Sequence, residues 1–316
     1  MICPYLWALR TLHNEFKFRG LPTGMEDQPL ELQKMFVQLR GTPIRSLSRT
    51  PVRDATDPKP GDEPNPSGPE NPREREADPF DPDYVDPAPG EKLLGVVLGN
   101  LLTVYVGQQI QTSQRSRLPP TVILGAPGSG KSSLLRYLVV KHATVFPNDD
   151  APDDLLPIFV SLRQYQAHLG KSIAGFAALN ANAEFKLSLP EDFFERAMND
   201  GGCLVCLDGA DEVADETTRG QVMDRVRNLA LSSEARTQNV VAITSRVAGY
   251  RPVQLSLKDF RHYRVKSFDD DNIKLFIQQW YTLRDSTPGE CERNIASLTE
   301  RLFAKEGKAI LSLIHI

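Results

Sequence analysis

The chain has 316 residues, room for about two domains of ordinary size and long enough to bury a real core. Its 37 Lys and Arg against 41 Asp and Glu give a formal net charge of −4, which excludes a nucleic-acid binder that works by bulk charge. Four scattered cysteines (Cys3, Cys203, Cys206, Cys291) exclude a disulfide scaffold. No basic-then-apolar N-terminal run marks a signal peptide, and the longest apolar stretch, Leu93 to Val106, falls short of the ~20 residues of a membrane span. The expectation is a soluble cytoplasmic protein with no direct nucleic-acid or membrane signal.

In residues 1–41, Tyr5, Leu9, Leu12 and Phe16 recur at helical spacing and predict a short amphipathic helix. An extended or short helical piece comes next, over Leu30 to Leu39. This segment is too small to fold alone and is expected to pack on the larger C-terminal part of the chain. Residues 42–90 read as a linker. Eleven of the 24 prolines lie between Pro51 and Pro89, residues 51–90 hold eleven acids against four bases, and large apolar residues are nearly absent. Such a composition cannot bury enough surface to offset its chain entropy, so disorder with local polyproline II is expected.

From residue 91 the pattern turns globular. A mostly apolar helix is predicted from Glu91 to about Thr112. Short apolar runs then alternate with helical segments. The runs are Thr121–Leu124, Pro157–Leu162, Cys203–Leu207 and Val240–Thr244, with a weaker one at Tyr263–Lys266. Between them lie helices at Lys131–Val145, Asp192–Asn199 and Thr218–Leu231, and a last pair comes at Asp271–Tyr281 and Glu290–Lys305. This alternation predicts an α/β fold, a mostly parallel sheet covered by helices on both faces. In Asp271–Tyr281 the stripe Ile273, Phe276, Ile277, Trp280 and Tyr281 reads as packing.

Three sites carry chemistry. The first is Gly125-Ala126-Pro127-Gly128-Ser129-Gly130-Lys131-Ser132, with Ser133 next, between a predicted strand and a predicted helix. It matches the phosphate-loop pattern G-x-x-x-x-G-K-[ST]. The glycines let backbone N–H groups turn toward phosphate, and the helix N-terminus adds its positive end. Lys131 would reach the β- and γ-phosphates, and the Ser132 hydroxyl would hold Mg²⁺. The second is Cys203-Leu-Val-Cys206-Leu-Asp208, a buried strand that delivers a carboxylate to its C-terminal edge. Asp208 would hold Mg²⁺. Asp211 and Glu212 lie one turn further on, and either is placed to orient an attacking water. Cys203 and Cys206 share CxxC spacing but fall inside the apolar strand, so they read as buried packing. The third is Val240-Val-Ala-Ile-Thr244-Ser245-Arg246, another buried strand ending in a polar pair and an arginine. Arg246 either meets the γ-phosphate or is a plain surface arginine, and spacing alone does not choose. The five histidines show no metal-ligand spacing.

In these residues the chain resembles the NACHT domain, a branch of the STAND class of signal-transduction P-loop NTPases. The carriers are GAPGSGKSSLLRYL (125–138), LPIFVSLRQY (156–165), LVCLDGADEV (204–213), VVAITSRVAGY (240–250) and SFDDDNIKLFIQQWY (267–281). In the DGADE string the glutamate does not directly follow the first aspartate, which sets this pattern apart from AAA+ proteins. The stretch YLWALRTL…FRGL…LELQKMFVQLR also resembles the segment preceding many bacterial members. The resemblance implies a P-loop NTPase domain over 91–283 with the start of a helical region over 284–316. It implies binding of ATP or ADP with Mg²⁺, slow hydrolysis, and a switch between a closed ADP form and an open ATP form. Self-oligomers driven by an activating ligand are implied, as is an effector; neither ligand nor effector is named by the residues. Many prokaryotic members act in defence or conflict systems. By the same resemblance Arg246 becomes a sensor of the γ-phosphate, Asp208 the Mg²⁺ aspartate, and Asp211 and Glu212 a catalytic acidic pair beside Lys131. Members continue into winged-helix and sensor regions, so this sequence is expected to be cut short.

Two other functions stay open on the residues alone. A metabolic P-loop enzyme, such as a small-molecule kinase or a motor ATPase, would need an acceptor site or a basic lid, and none is clear. An interaction scaffold stabilised by nucleotide would bind without hydrolysing. No N-K-x-D-type guanine-reading element occurs, which favours adenine.

Overall fold

In the computed structural model the described residues are 2–16, 30–44, 92–93, 119–145, 155–231, 239–250, 255–284 and 287–303. The chain opens with helix α1 (Ile2–Asn14), then a small antiparallel pair, β1 (Glu15–Phe16) with β2 (Leu30–Glu31), and a single helical turn, α2 (Leu32–Met35). Strands β3 (Arg40–Ile44) and β4 (Lys92–Leu93) come next. The alternating region comprises β5 (Thr121–Leu124), α3 (Lys131–Val145), β6 (Leu156–Ser161), α4 (Leu162–Tyr165), α5 (Ile173–Phe185), α6 (Phe193–Asp200), β7 (Cys203–Asp208), α7 (Glu216–Leu231), β8 (Val240–Ser245) and β9 (Arg261–Val265). Helices α8 (Asp270–Arg284) and α9 (Pro288–Phe303) close it.

Among the described residues the main sheet has seven strands, in the order β4-β3-β9-β5-β8-β7-β6. The five strands from β9 to β6 are mutually parallel, and β3 and β4 add an antiparallel edge. The α/β class is as the sequence predicts. Val122, Ile123, Leu124 and all of Cys203–Leu207 are fully buried. Residues of both parities are covered, so helices must lie on both faces. Helix α3 packs across β6, β7 and β8 with α1 beside it, while α5 reaches β6 and α6 packs on α5. Ser172 caps α5, its hydroxyl accepting from the Gly175 N–H at 3.0 Å. Among the described residues no helix is long and apolar enough to cross a membrane.

Four details differ from the sequence expectation. The buried face of α1 is Tyr5, Leu6, Leu9 and His13, whereas Leu12 is 42% exposed; the helix is turned so that the His13 ring can pack on Phe159, with ring centroids 4.6 Å apart. Strand β3 takes in Thr42, Pro43 and Ile44, the first residues of the expected linker. Strand β4 opposes only Arg40 and Gly41, so beyond them β3 has an open side among the described residues, where a proline without an N–H costs no ladder bond. The other linker residues, 45–90, lie outside the described residues. Of the helix expected over Glu91 to Thr112, only Lys92–Leu93 is described, and it is strand, not helix, because it pairs with β3; 94–112 lie outside the described residues. In α8 only Ile277 of the apolar stripe is buried, and Ile273, Phe276, Trp280 and Tyr281 are half-buried.

Candidate functional site

The three predicted sites meet at the C-terminal ends of β5, β7 and β8. Strand β8 lies between β5 and β7. Its last residues therefore stand between the loop after β5 and the carboxylate that ends β7.

The loop 125–130 turns from β5 into α3, whose first turn leaves its N–H groups without intrahelical partners. Gly130 has φ of +81°, open to glycine at little cost, and a Cβ there would sit 3.3 Å from Leu39 Cδ2. The N-terminal segment thus presses directly on the loop. Ala126, Pro127 and Gly128 are exposed, Ser129 and Gly130 half-buried, Ser132 exposed and Ser133 half-buried. Lys131 is buried. Its ammonium donates to the carbonyl oxygens of Gly125 at 2.9 Å and Ala126 at 2.7 Å, and to Ser129 Oγ at 3.2 Å. Burial lowers its pKa below the ordinary lysine value; Asp211 works against that and Arg246 with it.

Asp208 is oriented by two hydroxyls. Ser132 Oγ donates to Asp208 Oδ1 at 3.0 Å, and Thr244 Oγ1 donates to the same oxygen at 2.5 Å. Thr244 Oγ1 in turn accepts the Gly209 N–H at 3.0 Å. Thr244 is the bridging residue that the motif reading passes over; its only sequence signal is a hydroxyl at the end of an apolar strand. The pairing of a serine hydroxyl with a carboxylate suits a hard cation that prefers oxygen ligands, so Ser132 and Asp208 fit Mg²⁺. Among the described residues no group of three or more His, Cys, Asp or Glu converges as a metal cluster.

The acidic pair divides. Asp211 accepts the Arg246 N–H on Oδ1 at 2.8 Å and the Arg246 Nε–H on Oδ2 at 3.0 Å. That two-point grip ties the turn after β7 to the end of β8. The Asp211 side chain is 11% exposed and that of Arg246 is 50% exposed, so the rest of the guanidinium meets solvent. Glu212 faces elsewhere. Gly209 has φ of +78°, which folds the chain back so that a Cβ there would lie 3.1 Å from Glu212 Cδ. Glu212 lines the same cavity as Ser132 and Asp208, a space of about 870 Å³. Cys203 and Cys206 are wholly buried free thiols whose pKa values are raised by burial, that of Cys203 to about 12. They are packing, as their place in the strand predicts.

A family model for the NACHT domain matches residues 119–284, more than half of the chain. No curated protein matches the chain. Among solved structures it is similar to C. elegans PCH-2, with 12% identity and a TM-score of 0.37, covering 58% of this chain and 45% of that one. It is similar to AMPPCP-bound DnaA from Aquifex aeolicus, with 13% identity and a TM-score of 0.37, covering 66% and 60%. It is also similar to a chain of the E. coli MS115-1 HORMA:CdnC:Trip13 complex, with 14% identity and a TM-score of 0.36, covering 64% and 70%. The chain thus spans less than two thirds of the first two, and at these TM-scores the likenesses say nothing about activity.

Proposed function

The chain belongs to the NACHT-domain family of nucleotide-binding P-loop NTPases, and on that premise we propose that it is a slow ATPase switch of the STAND class. In this reading it binds ATP and ADP, works in the cytoplasm in a prokaryotic defence or regulatory pathway, and self-associates when an activating ligand arrives. The observation that carries the reading is the two-point grip of Asp211 on Arg246. It ties Arg246, which in this reading meets the γ-phosphate, to the turn after the strand that carries Asp208, so a change at the nucleotide would move two strand ends together.

Each residue of the site then has a role. Backbone N–H groups over 125–133 cradle the phosphates, and Lys131 exchanges its carbonyl partners for β- and γ-phosphate oxygens. Ser132 and Asp208 would hold Mg²⁺, which supplies charge neutralisation at the phosphates when bound. Glu212 accepts a hydrogen bond from the attacking water and takes its proton as the water oxygen joins the γ-phosphorus. The bond between that phosphorus and the bridging oxygen breaks, and ADP leaves with the electron pair. Arg246 touches the γ-phosphate, and Asp211 acts through it as a positioning residue.

The test is single-turnover hydrolysis of ATP paired with nucleotide affinity. A switch should hydrolyse slowly, with product ADP retained. Multiple fast turnovers with transfer to a small acceptor would favour a metabolic enzyme, and binding with no hydrolysis would favour a scaffold.

A further inference from the structure

We propose that the cavity beside Asp208 is a holding compartment for orthophosphate, with Arg136 and Arg163 as its anion contacts. This rests on the hydrolysis reading above, of which orthophosphate is the second product.

The cavity begins at Ser132, Asp208 and Glu212 and extends between α1 and α5. Two arginines, Arg136 and Arg163, line it as well. Arg136 is four residues after Ser132 on α3, one turn down the same face. Ser161 lies opposite Asp208 in the register of β6 and β7, and Arg163 stands two residues further along. Both arginines are exposed, and neither side chain is in an ion pair among the described residues. A guanidinium offers paired N–H donors that match phosphate oxygens.

Besides Asp208 and Glu212, the lining carries Glu184 and His13. His13 lies beside Arg136, and burial pushes its pKa down to about 4, so it is neutral near pH 7. Glu184 lies on the α5 wall, where Asn180 Nδ2 donates to it at 3.3 Å. Asp208 and Glu212 repel a phosphate dianion once it is cut free, and the two guanidiniums accept it. The space is many times the size of one phosphate, so the ion is held with water around it. Tyr5, Leu9, Leu12 and His13 of α1 form part of its wall.

The experiment uses the full chain in two arms. In the first, [γ-³²P]ATP and Mg²⁺ are followed through one turnover, cleavage by acid quench and free orthophosphate by a fluorescent phosphate-binding sensor. Release should lag cleavage at least fivefold in rate, and Arg163→Gln or Arg136→Gln should each shorten that lag, with Arg163→Lys restoring it in part. Simultaneous cleavage and release in the wild type, or an unchanged lag in both variants, overturns the proposal. In the second arm, inorganic phosphate is titrated calorimetrically into the protein loaded with Mg²⁺ and ADP. Millimolar binding that falls at least tenfold in each Gln variant supports the compartment, and no binding overturns it. If the wild type cleaves no ATP, the hydrolysis reading falls by itself. The second arm, in which the phosphate comes from solution and not from the nucleotide, then decides whether the cavity is an anion site.

Discussion

Lys131, Asp208, Asp211, Glu212 and Arg246 occupy one sheet edge, yet they divide into separable jobs, and substitution should separate them. Lys131→Ala removes a point charge from the β- and γ-phosphates, so ATP and ADP affinity by calorimetry should both fall at least tenfold, about 1.4 kcal/mol. The loop should survive, because the lysine's partners in the loop are two carbonyls and a hydroxyl that water can satisfy. Glu212→Gln keeps the size of the side chain and loses its basicity. It should retain ATP binding while single-turnover hydrolysis slows roughly 10²–10⁴-fold. Asp208→Asn should instead weaken Mg²⁺-dependent binding itself. Asp211→Asn should behave like Arg246→Ala, narrowing the preference for ATP over ADP, because one carboxylate holds both the N–H and the Nε–H of Arg246. If Asp211→Asn abolishes hydrolysis with nucleotide preference intact, Asp211 is the base and the grip on Arg246 is incidental.

Helix α1 binds the N-terminal segment to the α/β core, chiefly by packing on α3. Leu9 is 3% exposed, and Leu9→Ala should cost about 2–5 kcal/mol in urea unfolding. Tyr5 Oη donates to the Pro157 carbonyl at 2.9 Å in a buried setting; Tyr5→Phe should cost about 1–2 kcal/mol. Leu12→Ala, on the exposed face, should stay within about 0.5 kcal/mol. Helical spacing alone groups Leu12 with Leu9, and only the packing of His13 on Phe159 tells which way the helix is turned. The central strands are legible in the residues, whereas helix α5 over Ile173–Phe185 is not predicted. Thr121–Leu124, Cys203–Leu207 and Val240–Thr244 are apolar runs because both faces of their strands are covered, and they are strands in the structure. Strand β3 is illegible, since Arg-Gly-Thr-Pro-Ile has neither alternation nor an apolar run and is made a strand by the edge of β9. Of the site, the loop 125–133 and Asp208 can be read from spacing. The pairing of Asp211 with Arg246, and the bridge through Thr244, span 35 and 36 residues and depend on β8 lying between β5 and β7.

At the scale of the whole molecule, three buried histidines among the described residues, His13, His142 and His262, shape the response to acid. Each is pushed down to about 4, with burial the largest cause in all three. Arg136 adds to the effect at His13 and Lys141 at His142, while the carbonyls near His262 oppose it. Unfolding returns each ring to the ordinary value of 6.5, so below that pH the unfolded chain binds protons that the folded chain refuses. Their contribution is complete above pH 6.5 and is lost as the pH falls from 6.5 toward 4. At pH 5 the loss is about 2 kcal/mol for each ring, against a total stability of roughly 5–15 kcal/mol. Urea midpoints measured from pH 7.5 to 5 should therefore fall steeply. His142→Leu should flatten the slope by about a third, since His142 Nδ1 has no hydrogen-bond partner to lose. An unchanged slope in that variant would exclude His142 from the acid response.

The place of β5 in the sheet has a consequence for the chain as it is made. Its two neighbours are β8 and β9, and Thr121 pairs with Ala242 and Arg261. A strand that is wholly buried in the finished fold thus waits roughly 120 residues for its first neighbour. At about 5–20 residues per second on the ribosome, that is about 6–24 s with Val122, Ile123 and Leu124 uncovered. Strands β6 and β7 are closer in sequence and can pair sooner, as low contact order favours. The nascent chain should therefore carry a half-built sheet that cannot retain nucleotide, with an apolar strand offered to chaperones, until β8 emerges. Ribosome-stalled chains ending before Val240 should fail to bind a fluorescent ATP analogue, and those in which β9 has cleared the exit tunnel should bind it. Nucleotide then acts as a late lock on the assembled sheet, never as a template for its first half.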